Sequence, residues 1–214
     1  MARAYSISEL LSMRKRCFPF EGEWREAFGS PEMVGVWFIW GPSGNGKSSF
    51  IMQLCKELCR FGRLAYDSLE EGTADTIVQS VKRHEMQVVN KKMLILDCES
   101  IPELSVRLQK KKSPDFVIID SFQYCQLSYK QYIEFKQLFK NKLLIFISHA
   151  DGKQPAGRAA RSVMYDACLK IWIEGFRAIS KGRYIGANGG NYTIWEEGAT
   201  RHWGETIKNY GNEN

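Results

Sequence analysis

The stretch Gly41-Pro42-Ser43-Gly44-Asn45-Gly46-Lys47-Ser48 decides how the rest of this chain is read. It fits G-x-x-x-x-G-K-[ST], in which a glycine-rich loop wraps phosphates in its own backbone N–H groups. Such a match carries weight only between a strand and a helix. Val34 to Trp40 before it reads as a buried strand, and Ser49 to Arg60 after it reads as a helix. Gly41, Gly44 and Gly46 allow the tight turn, and the helix N-terminus adds partial positive charge where phosphates would lie. The expected contacts run from Gly41 through Ser49, with Lys47 on the β and γ phosphates and the Ser48 hydroxyl on Mg²⁺. The reading is a site for a nucleoside triphosphate, with ATP and Mg²⁺ as the expected ligands.

Composition bounds the answer without deciding it. A chain of 214 residues is long enough for one α/β domain with a full core. A formal charge of +6 permits a polyanionic partner but does not demand one. Six cysteines are scattered with no C-x-x-C pair and no Cys/His cluster of zinc spacing, which suits a reducing compartment. Met1 to Tyr5 lacks the apolar stretch of a signal peptide, and no run approaches the roughly 18 apolar residues of a membrane span. The expectation is a cytoplasmic protein with no membrane partner.

Along the chain, Ser6-Ile7-Ser8-Glu9 has the form of a capping box opening a short helix, and residues 21–28 read as another. Arg63 to Asp67, Met93 to Asp97, Phe116 to Asp120 and Leu143 to Ile147 are apolar runs alternating with helical stretches. A parallel sheet covered on both faces reads this way. Beyond Ser148 the pattern changes: residues 150–161 read as a polar, basic loop. Leu169 to Ile173, Phe176 to Ser180 and Asn191 to Trp195 then read as short antiparallel strands. The expected organisation is a helical prelude at 1–33, a nucleotide-binding domain at 34–207 and a flexible tail at 208–214.

Phosphoryl transfer needs a carboxylate near the metal, and Asp120, at the end of an apolar strand, is the candidate. Asp97 also ends such a strand and is read as structural. Hydrolysis needs a group that activates water. Glu70 and Glu71 lie just beyond a strand expected to neighbour the phosphate loop, although acids at a helix start also serve its dipole.

These residues, in this order, resemble a family. Tyr66-Asp67-Ser68-Leu69-Glu70 is similar to the segment carrying the catalytic glutamate of RecA-like ATPases, above all the DnaB-type helicases and RadA recombinases. Val117-Ile118-Ile119-Asp120-Ser121-Phe122-Gln123 resembles their Walker B strand, and Phe146-Ile147-Ser148-His149 the strand whose polar end contacts the γ-phosphate. Ser180-Lys181-Gly182-Arg183-Tyr184 resembles the K-x-R finger that such assemblies insert into the neighbouring subunit's site. The resemblance covers residues 34–203 and lacks the extra domains of a replicative helicase or of RadA. It implies a RecA-like core: a mostly parallel central sheet with helices on both faces and C-terminal antiparallel strands. It further implies Asp120 with Ser48 on Mg²⁺, Glu70 as base, His149 as γ-phosphate sensor, and Lys181 and Arg183 acting in trans within a homo-oligomeric ring or filament.

In that family nucleic acid passes loops after the Walker B and sensor strands. Here the second loop offers Lys153, Arg158 and Arg161 for phosphate contacts with single-stranded DNA. The expected activity is a DNA-stimulated ATPase acting in replication or recombination. The alternative is a KaiC-like regulatory ATPase assembly acting on protein partners, which Glu70-Glu71 suits equally well. A small-molecule kinase is the third reading, and the strand placement of Lys181 and Arg183 argues against it.

Overall fold

A computed structural model describes residues 3–211, with side chains through Gly204. The phosphate-loop motif sits where the sequence predicts, between β1 (Gly35–Gly41) and α3 (Lys47–Cys59). Ahead of it lie α1 (Ile7–Ser12), opened by the Ser6/Glu9 capping box, and α2 (Gly22–Phe28). After α3 come β2 (Leu64–Ser68), α4 (Asp75–Arg83), a 3-10 turn (Met86–Val89) and β3 (Met93–Asp97). Next are α5 (Ile101–Gln109), β4 (Phe116–Asp120), α6 (Tyr129–Leu138) and β5 (Leu143–Asp151). The chain closes with β6 (Gln154–Pro155), α7 (Arg158–Asp166), β7 (Leu169–Glu174), β8 (Arg177–Gly182), β9 (Gly190–Thr193) and α8 (Glu196–Gly211). Helix α8 therefore enters the stretch expected to be a flexible tail, and residues 212–214 lie outside the described residues.

The sheet runs β3-β2-β4-β5-β1-β7-β8-β9, with β6 paired to β5 alone. Strands β3 to β7 in that order are parallel, and β8 and β9 are antiparallel. Two expectations are corrected. The first of the three late strands, β7, lies parallel to β1 and pairs antiparallel only with β8. Strand β2 does not neighbour β1, because β4 and β5 stand between them. An apolar run reads alike at any position in a covered sheet, so its neighbours are set by packing over the whole domain.

Alternation along β1 divides the core. Trp37 and Ile39 face one side with Phe50, Leu54 and Leu58 of α3. Val36, Phe38 and Trp40 face the other with Leu104, Tyr132, Phe135 and Val163 from α5, α6 and α7. Phe18, Phe20 and Phe28 of the N-terminal stretch join the first side, and α2 packs on β9. Burial on both faces is what makes β1, β4 and β5 continuous apolar runs, and it fixes their C-terminal ends in one row at one edge. In an open α/β sheet that edge is where ligands bind.

Candidate nucleotide site

The phosphate loop has the conformation that its glycines were expected to allow. Gly44 and Gly46 adopt φ of +74° and +94°, in the left-handed region open to glycine. Gly46 is also the N-cap of α3, so no side-chain oxygen caps the helix, and its first turn holds no acidic residue. Those first-turn amides are left without an intrahelical acceptor, at the positive end of a 13-residue helix. A Cβ on Gly44 would stand in open space, so the outer face of the loop is clear. Lys47 folds back across the loop with Nζ 3.4 Å from the Gly41 carbonyl.

The underside of the loop is held by a turn that the sequence did not single out. Gly175 donates its N–H to Asn45 Oδ1 at 2.8 Å, and Phe176 donates its N–H to the Asn45 carbonyl at 3.1 Å. Both turn residues have positive φ, and the Phe176 ring lies 3.0 Å from where a Cβ on Gly46 would stand. Trp203 of α8 donates its indole N–H to the Gly175 carbonyl at 3.1 Å. Asn45 is only an "x" in the motif, and its partner is 130 residues away.

Asp120 ends β4 within electrostatic range of Lys47. Burial pushes its carboxyl up to about 6, and the negative charges of Glu70 and Glu71 add to this. The Tyr66 hydroxyl bond and Lys47 pull the other way. Tyr66 donates to Asp120 Oδ2 at 2.5 Å, and its own pKa is raised by burial and then by Asp120, so it remains a neutral donor. The rival, Asp97, ends β3 at the sheet edge, two strands from Asp120, and is exposed. A serine hydroxyl and a carboxylate are hard oxygen donors of the kind Mg²⁺ takes, so the residues at this edge fit Mg²⁺ with a nucleotide's phosphates.

Although β2 is remote from β1, Glu70 still reaches this edge. Leu69 and Glu70 both donate backbone N–H groups to the Asp120 carbonyl, at 2.7 and 3.2 Å, which folds the segment after β2 over the end of β4. Glu70 Oε2 then meets His149 Nε2 of β5 at 2.8 Å. The neighbouring carboxylate goes elsewhere: Glu71 accepts a hydrogen bond from Thr76 at the start of α4. Geometry thus sends the two adjacent acids to different partners.

Gln123 links His149 to the segment beyond β5. The His149 N–H donates to Gln123 Oε1 at 3.3 Å, while Gln123 Nε2 donates to Ser148 Oγ at 2.8 Å and to the Ala156 carbonyl at 2.9 Å. The expected basic loop at 150–161 is instead a hairpin and the start of α7. Ala150 and Asp151 pair with Pro155 and Gln154, and α7 begins at Arg158. Arg161 is exposed but engaged, donating to the Pro155 carbonyl at 3.2 Å and to Asp151 at 3.3 Å. Lys153 sits at the hairpin tip, where its carbonyl accepts from the Trp40 indole. Tyr124, half-exposed in the turn after β4, has its ring 6.5 Å from that of His149.

Lys181 and Arg183 lie away from this cluster. Lys181 pairs with Lys170, which pairs with Phe38, three residues before Gly41. Arg183 donates its N–H to the Cys168 carbonyl, and Cys168 donates to Val36, five residues before Gly41. At about 3.3 Å per residue, that places Arg183 roughly 16 Å down the sheet from the phosphate loop. Both side chains are exposed.

No protein-family model matches the chain, and no curated protein matches it in sequence. Among solved structures it is similar to the flagellar accessory protein FlaH from Methanocaldococcus jannaschii. The TM-score is 0.54 at 15% identity, over 85% of this chain and 92% of that one. The fold is RecA-like. It is an α/β fold with a mostly parallel central sheet, helices and C-terminal antiparallel strands. Among the described residues no helix is long and apolar enough to cross a membrane.

Proposed function

We propose that this chain is an oligomeric, Mg²⁺-dependent ATPase stimulated by single-stranded DNA, acting as a motor or strand-handling core in replication or recombination. The observation that carries this reading is the meeting of Glu70 with His149 beside Asp120 and Lys47, at the uncapped start of α3. Lys47 and the first-turn amides of α3 bind the phosphates, and Ser48 and Asp120 hold Mg²⁺. When bound, Mg²⁺ supplies charge neutralisation on the phosphoryl oxygens. Glu70 accepts a proton from the attacking water, a role that contributes about 10² to 10⁴ in rate. Glu70 is tied to His149, so this contact must open before Glu70 faces water. His149 then turns to the γ-phosphate, and Gln123 passes the change to the 150–156 hairpin, where Lys153 and nearby Arg158 contact the DNA backbone.

One observation favours the second reading, a regulatory ATPase switching protein partners. Arg161 is engaged by Asp151 and Pro155, which leaves Lys153 and Arg158 as the unpaired cations of the segment among the described residues. The similar FlaH is a flagellar accessory protein, which keeps a role among protein partners in play. Steady-state ATPase rates with and without oligothymidylate separate the two. Stimulation lost in Lys153→Ala/Arg158→Ala supports the DNA reading, and a rate indifferent to DNA at all salt concentrations overturns it.

A further inference from the structure

At the opposite end of the sheet from the phosphate loop, α3 and α4 both end and the 3-10 turn leads the chain back into β3. These elements pack together and leave an open cavity of about 520 Å³, with Lys56, Arg60, Val88, Asn90, Lys91 and Lys92 on its wall. Among the described residues no carboxylate lines it. Glu57 neutralises Arg60 in a two-oxygen contact at 2.9 and 3.0 Å. Lys56, Arg83, Lys91 and Lys92 have no carboxylate within ion-pair distance among the described residues.

A neighbouring histidine registers the same excess of positive charge. His84, at the end of α4, has its pKa lowered by burial and then by the charges of Arg83 and Lys56, and its Nε2 is buried with no hydrogen-bond partner among the described residues. Helix dipoles account for part of the cluster, since Lys56 and Arg83 lie in the last turns of α3 and α4. They do not account for Lys91 and Lys92. Those two lie in a turn, where Lys92 contributes backbone bonds to Val89 and Leu64 while its side chain is exposed. Concentrating unpaired cations costs self-repulsion that a bound polyanion would relieve.

We propose that this cavity binds the phosphate backbone of a single-stranded nucleic acid, as a second contact separate from the ATP site and from the 150–156 hairpin. The form of the cavity favours a strand over a single phosphate group. It is open, it has no glycine loop and no helix N-terminus, and its cations are long side chains on two separate segments, α3 and the turn before β3. Such groups follow successive phosphates without reading bases.

The test uses the full chain without ATP and a labelled 20-nucleotide oligothymidylate, read by fluorescence anisotropy over a salt series. Each lost phosphate contact on a single strand lowers the log–log salt slope by about 0.7. Lys91→Ala/Lys92→Ala is therefore expected to flatten the slope by about 1.4 and to weaken binding at low salt, with thermal melting and ATP affinity unchanged. Made on top of Lys153→Ala/Arg158→Ala, the Lys91→Ala/Lys92→Ala change is expected to flatten the slope by the same further amount, because the two contacts are separate. The proposal is overturned if the Lys91/Lys92 variant binds with wild-type slope. It is also overturned if polyglutamate displaces the oligonucleotide as well as unlabelled oligothymidylate does, or if inorganic polyphosphate of equal charge binds more tightly.

Discussion

Glu70 and His149 are the two side chains whose contact can report on the nucleotide. Glu70→Gln keeps the shape of the site and removes the proposed proton acceptor. It is expected to lower turnover by at least about 100-fold while leaving ATP affinity near wild type, measured by single-turnover hydrolysis alongside equilibrium binding. A parallel loss of affinity would mean that Glu70 holds the phosphates and does not activate water. Asp67, three residues earlier, belongs to a different problem. Its side chain is fully buried, with Oδ1 accepting the Glu99 N–H at 3.1 Å and Oδ2 without a partner among the described residues. Burial pushes its carboxyl up to about 7, opposed by the Glu99 N–H bond and the charge of Arg107, while the charges of Glu99 and Glu103 add to the rise. A carboxyl raised in the folded state binds its proton more tightly folded than unfolded, so its contribution to stability falls as pH rises from about 4 through 7. His84, lowered in the folded state, acts in the opposite sense near its unfolded value. The comparison that isolates Asp67 is therefore between wild type and Asp67→Asn. The variant is expected to melt several degrees higher at pH 8, with the gap closing towards pH 5. A gap that stays constant with pH would remove titration of Asp67 as its cause.

At the scale of elements, legibility followed the range of the interaction. The phosphate loop, its strand and its helix were readable because 26 consecutive positions, Val34 to Cys59, carry a local pattern of apolar run, glycines and helix. Asp120 was readable because β4 is buried on both faces and ends on a charge. The separation of Glu70 from Glu71 was suggested only by the resemblance and not by the local pattern, since it depends on backbone bonds from residues 69 and 70 to the Asp120 carbonyl. The hairpin at 150–156 was hidden by its composition: glycine, lysine and glutamine read as loop, and only two paired positions on each side make it a ladder. The clamp between Asn45 and the Gly175-Phe176 turn was hidden by distance along the chain. Asn45→Ala removes the acceptor for the Gly175 N–H and leaves that donor unpaired, a change of about 1–3 kcal/mol. The expected result is a melting temperature lower by a few degrees and a raised KM for ATP with a smaller change in kcat. Gly46→Ala is expected to be worse, because it adds strain at φ +94° to a 3.0 Å approach from Phe176. An Asn45→Ala protein with wild-type KM would show that the turn does not position the loop.

For the molecule as a whole, the decisive relation is between two ends of β8. One end, at the Gly175-Phe176 turn, grips this chain's own phosphate loop, and the other carries Lys181 and Arg183. The register places Arg183 about 16 Å below Gly41, beyond the reach of its own side chain, so it acts on a nucleotide only if that nucleotide belongs to another copy. Its surroundings within this chain leave it free for an outward role. Burial raises the half-buried Asp166 carboxyl, yet hydrogen bonds from Lys136 and Tyr132 bring it below the usual range, with the charge of Arg183 a lesser cause, so Asp166 is already satisfied by two other donors. If Arg183 is the finger proposed for the next subunit, the interface it makes is head-to-tail and closes into a ring or runs on as a filament. Complementation tests this directly. Lys47→Ala keeps the finger and loses the loop's lysine, and Arg183→Ala keeps the loop and loses the finger, so each alone is expected to lose turnover by a factor of at least about 1,000. In a one-to-one mixture, about a quarter of head-to-tail interfaces pair an intact loop with an intact finger, and turnover should recover towards that fraction. Recovery must also vanish on dilution below the assembly concentration. A mixture as inactive as its components would place Arg183 outside the reaction, and the exposed Lys181 and Arg183 would then be what charged residues near a sheet edge often are, a guard against unwanted strand pairing.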